Sequence, residues 1–127
     1  MDRIDLRLRV ETPTRAALAD SAARESSADI RSRVEQSRSA ATVRFQNEGF
    51  ELNSQIPSEL LRGKYRAHQK AMSTLHTLID REEITARGFH KLLRLAWTIT
   101  DLRGLSSPGV DEVDVALTLR SDLERAA

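Results

Sequence analysis

The sequence predicts an all-α helical bundle preceded by a short strand or extended segment, and three observations lead there. Apolar residues recur at three- and four-residue spacing through most of residues 50–121. The helical runs are bracketed by start and stop residues, most clearly Thr85 and Gly104 around TARGFHKLLRLAWTITDLRG. Only residues 2–10, DRIDLRLRV, alternate apolar and charged residues with the period of a strand. A length of 127 residues fits one domain with a real core, and the absence of Cys means that no disulfide staples it.

Taken in order, Ile4, Leu6, Leu8 and Val10 form the strand-like face of the first segment. No other stretch offers a strand to pair with it, so the expected sheet lies upstream. Glu11, Thr12 and Pro13 break the pattern, and residues 14–23 form a short Ala-rich helical run. Ser26 followed by Asp29 approximates a capping box and opens a long helix that ends near Gly49. Its seam of Ile30, Val34, Ala41 and Phe45 is thin, which suits a helix bridging between bodies. Residues 50–56 read as a loop with apolar anchors, and Pro57 suits the first position of a short helix through Arg62. Gly63 permits a turn. Residues 66–82 form a helix burying Ala67, Ala71, Leu75, Leu78 and Ile79. The last helix opens around Asp111 and Asp114, after the loop LSSPG.

The helix from Thr85 to Gly104 is the centre of the pattern. Phe89, Leu92, Leu93, Ala96 and Ile99 make one buried stripe, while Arg87, Lys91, Arg94, Thr98 and Asp101 collect opposite at ~100° per residue. The ordinary reading of such a face is a solvated surface. The chemical alternative is an anion site, because Arg87 stands in the first turn, where a helix already presents unpaired N–H groups and partial positive charge. Trp97 falls at the edge of the stripe and is expected to be a partly buried packing residue.

Composition excludes several classes. The formal net charge is +1 with 31% charged residues, so no bulk basic field drives nucleic-acid binding, although local arginine clusters remain. Aromatics are only 4%, too few for base-stacking platforms. No apolar run approaches the ~18 residues of a membrane span, and the expected setting is soluble and cytoplasmic, with no membrane partner. There is no P-loop, no nucleophile elbow, and no metal site around His68, His76 or His90. The 127 residues are therefore expected to have no catalytic activity of their own.

Together, DRIDLRLRV, ESSADIRSRVEQSR and ITARGFHKLLRLAWTITDLRG resemble the C-terminal, lid part of magnesium-chelatase-like AAA+ ATPases, closest to the competence protein ComM branch. The resemblance implies that residues 1–12 end the AAA+ core and are disordered in isolation, that residues 13–49 are connecting helices, and that residues 50–127 form a four-helix lid domain. It implies Arg3 as an arginine finger toward a neighbouring subunit's nucleotide, and Arg87, with Arg94 as runner-up, as the sensor-2 arginine. Family members often carry a further Arg where this chain has Trp97. For the full-length protein it implies ATP and Mg²⁺ as cofactors, an upstream AAA+ core, ring neighbours in a homo-hexamer, and work on DNA in recombination or remodelling. The alternatives are the lid of a true magnesium chelatase, or a helical DNA- or protein-binding adaptor with no nucleotide role.

Overall fold

The computed structural model describes residues 6, 8–20 and 24–125, with side chains as far as Arg120. Arg3, and most of the segment expected to end a core sheet, lie outside the described residues. Those of residues 6–12 that are described form no strand, and they leave Leu8 and Val10 exposed. The architecture of the described residues is all-α: α1 (Arg15–Ala19), α2 (Ser27–Arg44), α3 (Ser58–Arg62), α4 (Gln69–Asp80), α5 (Ala86–Leu102) and α6 (Val110–Arg125), with a 3₁₀ turn at Asn53–Gln55.

Local chemistry sets the helix ends. Thr14, Ser26 and Thr85 each accept a hydrogen bond from the backbone N–H three residues on, through a side-chain oxygen, at 3.1, 3.1 and 3.0 Å. Helix α5 closes at Arg103, and Gly104 follows at φ 68, a left-handed turn that only glycine enters without strain. Glu112 closes the start of α6 by accepting from the Gly109 N–H at 2.8 Å, and it also pairs with Arg103 at 3.0 Å. Two starts differ from the sequence expectation. Pro57 caps α3 from outside, leaving Ser58 as the first helical residue. Residues 66–68 stay non-helical, because the His68 N–H is drawn to the Pro108 carbonyl at 2.8 Å, and α4 begins only at Gln69.

Helix α5 is the axis, packed by α6 along one side, by α2 and the 3₁₀ turn along another, and by α3 and α4 at its flanks. Its predicted stripe, Phe89, Leu92, Leu93, Ala96 and Ile99, is buried throughout. Around it gather Ile56, Leu61, Leu75, Val113 and Ala116, all at most 1% exposed. Trp97 is buried more deeply than its place at the stripe's edge suggests, because its indole N–H donates to the Tyr65 carbonyl at 2.8 Å. Burial of the ring is tolerated because that polar handle is satisfied. Phe50, Phe45, Tyr65 and Trp97 then pack in sequence, the first pair tilted and the next two edge to face, with centroids 4.7, 5.4 and 5.9 Å apart.

Helix α2 divides in two. Ile30 and Val34 on its first half are 45% and 42% exposed, whereas Ser37, Ala41 and Phe45 continue the same seam into the core. The segment read as a connector is thus anchored at its C-terminal end.

Candidate functional site

The sequence singled out one face of α5, and tertiary packing splits that face into two unlike ends. Toward the C-terminal end the face is covered. Arg44, from the last turn of α2, lays both terminal nitrogens on the Asp101 carboxylate at 2.6 Å each, and Asn53 adds a third donor to the same carboxylate at 2.9 Å. Asp101 is 1% exposed at its side chain and Arg44 14%. The Arg44 guanidinium also lies 4.3 Å from the Trp97 ring centroid and 5.0 Å from that of Phe45, which offsets part of its lost hydration through the ring quadrupoles. Thr98 receives a longer bond from Asn53 at 3.3 Å.

Arg94 belongs to this covered end. Its Nε donates to the Ile56 carbonyl at 3.0 Å, and a terminal nitrogen reaches Ser58 Oγ at 3.5 Å. The side chain therefore straps the entrance of α3 onto α5. Arg87 and Arg94 share a face, two helical turns or roughly 10 Å apart along the axis, but their surroundings differ: Arg94 is half-buried on a backbone carbonyl and Arg87 is exposed.

The N-terminal end is built differently. No carboxylate stands in the first turn of α5, and Thr85 caps only the Gly88 N–H. Arg120 of α6 packs across this turn: a β-carbon added at Gly88 would lie 3.9 Å from an Arg120 terminal nitrogen and 3.3 Å from Thr85 Oγ1. The other terminal nitrogen of Arg120 is buried without a hydrogen-bond partner among the described residues. The Arg120 guanidinium is therefore brought to the start of α5, the turn that also carries Arg87. Arg120 carries no local signal in the sequence, since it is brought to Gly88 only by the α5–α6 packing.

His90, in the same stretch, is half-buried. Burial lowers its pKa first, and the nearby Arg62 and Arg94 charges lower it further, which favours the neutral ring. Among the described residues no group of three His, Cys, Asp or Glu side chains stands close enough to hold a metal ion, and no helix is long and apolar enough to cross a membrane.

Comparison with known proteins gives a consistent family. Residues 24–120 match the family described as magnesium chelatase, subunit ChlI C-terminal. Uncharacterised proteins of Mycobacterium bovis and of two strains of Mycobacterium tuberculosis are each 41% identical over 120 residues, covering 94% of this chain and 24% of their own length. The chain thus spans about a quarter of the curated relatives it matches. No solved structure matches it.

Proposed function

Since this chain belongs to the magnesium chelatase ChlI C-terminal family, we propose that it is the lid of an AAA+ ATPase and closes over a nucleotide held by an upstream core. The observation that carries this reading is the start of α5, where Arg87 is exposed in a turn that holds no carboxylate and Arg120 of α6 reaches Gly88. A γ-phosphate there would meet guanidinium charge and helix N–H groups, the two devices that stabilise charge on a transferring phosphoryl group. ATP and Mg²⁺ are the cofactors of the full-length protein. Arg87 is the sensor residue; Arg94, tied to Ile56, keeps α3 in register instead. Arg3 would serve the neighbouring subunit of a homo-hexameric ring as its arginine finger. The mechanical work is on DNA, as resemblance to the ComM branch implies, and the setting is cytoplasmic. In domain terms, residues 50–127 with the last turns of α2 make the moving lid.

The test is ATP turnover by the full-length protein carrying Arg87→Ala, Arg94→Ala or neither, with melting of the same variants in the 127-residue chain. Arg87→Ala should leave the melt within ~0.5 kcal/mol of the parent while reducing turnover at least tenfold. Arg94→Ala should lower the melting temperature. Full turnover by the Arg87 variant would sink the assignment. Stimulation of turnover by duplex DNA but not by a porphyrin would separate remodelling from chelation.

A further inference from the structure

Charge is unevenly distributed in this nearly neutral chain. Residues 60–79 contain four Lys and Arg residues and no Asp or Glu. The structure turns this stretch into one surface. Leu61, Tyr65, Ala67, Ala71 and Leu75 face the core. Lys64, Arg66, Gln69, Lys70, Ser73 and Thr74 are exposed. Lys64, Arg66, His68 and Gln69 line an open pocket of about 550 Å³ at the foot of α4, and Lys70, Ser73 and Thr74 continue along the helix from it.

Carboxylates do little to neutralise this surface. Glu48 holds Lys64 at 2.6 Å, and Glu112 behind His68 is already occupied by Arg103 and the Gly109 N–H. The charged ends of Arg62, Arg66 and Lys70 have no hydrogen-bond or ion-pair partner among the described residues. The uncapped start of α4 adds to the same field without being its source.

We infer that the exposed face of residues 62–74 is a sequence-independent docking surface for the phosphodiester backbone of duplex nucleic acid. It consists of cations, an amide and hydroxyls, the side chains that position a protein on phosphates without reading bases. A protein partner would require apolar or aromatic anchors at the centre of the interface, and the one aromatic residue here, Tyr65, is buried at 4% exposure. The exposed ring here, His68, is a lone imidazole tied to Ser107 at 2.7 Å, which disfavours single strands, held as they are by stacking on successive rings. This surface uses none of the residues at the start of α5, so it stands or falls separately from the nucleotide reading.

Three unpaired cations on three phosphates set a salt slope of about −2.7, so affinity should fall about 40-fold between 50 and 200 mM salt. The experiment is fluorescence anisotropy of the 127-residue chain against a labelled 30-base-pair duplex, with an expected dissociation constant of roughly 10⁻⁶ to 10⁻⁴ M at physiological salt and tighter binding at 50 mM. Arg66→Ala with Lys70→Ala should weaken binding at least tenfold and reduce the salt-dependent loss to about 3.5-fold. Arg31→Ala with Arg38→Ala, which removes equal charge from the exposed face of α2, should change binding less than twofold. Three results would overturn the inference: no binding at 50 mM salt, equal loss in the α2 variant, or competition by poly-glutamate as effective as that by unlabelled duplex at matched charge. The last would point to an acidic protein segment instead.

Discussion

Replacing Asp101 with Ala should be the most damaging polar substitution in the chain. The change removes three hydrogen bonds, from both terminal nitrogens of Arg44 and from Asn53. It leaves the Arg44 guanidinium at 14% exposure against Trp97 with no counter-charge, and the Nε of that group is already buried without a partner. Breaking one side of a buried pair costs about 3–5 kcal/mol, chiefly the desolvation of the charge left behind. At roughly 4 °C per kcal/mol for a domain of this size, the melting temperature should fall by about 12–20 °C. Because Arg44 ends α2, amide exchange should rise in the last turns of α2 before it rises in α5. The double variant Arg44→Met with Asp101→Leu should recover most of the loss, since two apolar side chains replace two charges that had to leave water. Thermal and urea melts of Arg44→Met, Asp101→Leu and the double variant form a complete cycle. A loss below 1 kcal/mol for Asp101→Ala, or a double variant as unstable as the sum of the singles, would show that the pair is solvated and that α2 is held by Ala41 and Phe45 alone.

Leu92→Ala, at a site 1% exposed on the central stripe, should cost about 2–5 kcal/mol through lost burial and a cavity, read as a shift of the urea midpoint. Gly104→Ala should cost about 1–2 kcal/mol from the φ of 68 alone, because an added β-carbon there meets nothing within 4 Å; an unchanged melt would mean that the turn rearranges freely. For pH, burial pushes the Glu112 pKa up, but the Gly109 N–H and Arg103 outweigh it, so the folded value lies below the ordinary one. Its stabilisation is therefore complete above the unfolded pKa of roughly 4.3 and is lost as pH falls through the lower folded value. Glu112→Gln should flatten the fall in melting temperature below about pH 4.5. It should not abolish it, since Glu48, lowered by Lys64 and Tyr65, is lost in the same window.

What could be read along the chain was whatever a residue and its near neighbours decide. The start of α5 at Thr85, its end before Gly104 and its stripe from Phe89 to Ile99 all follow from caps and periodicity, which act within a turn or two. The Ser26 cap of α2 was legible for the same reason. The covering of the far face of α5 was not. Arg44 and Asp101 are 57 residues apart, and a charged residue opposite an apolar stripe has the same sequence signature whether water or a counter-charge satisfies it. Only the docking of α2 supplies the counter-charge, and with it the burial of Trp97 and Asp101. The sequence ranked Arg87 above Arg94 for its place in the first turn, but it could not show that the Ile56 carbonyl holds Arg94 or that Arg120 reaches Gly88 at the start of the helix. Helical periodicity thus determined which side of α5 had to be dry, while long-range pairing of charges decided that Asp101 on its polar side would be buried as well.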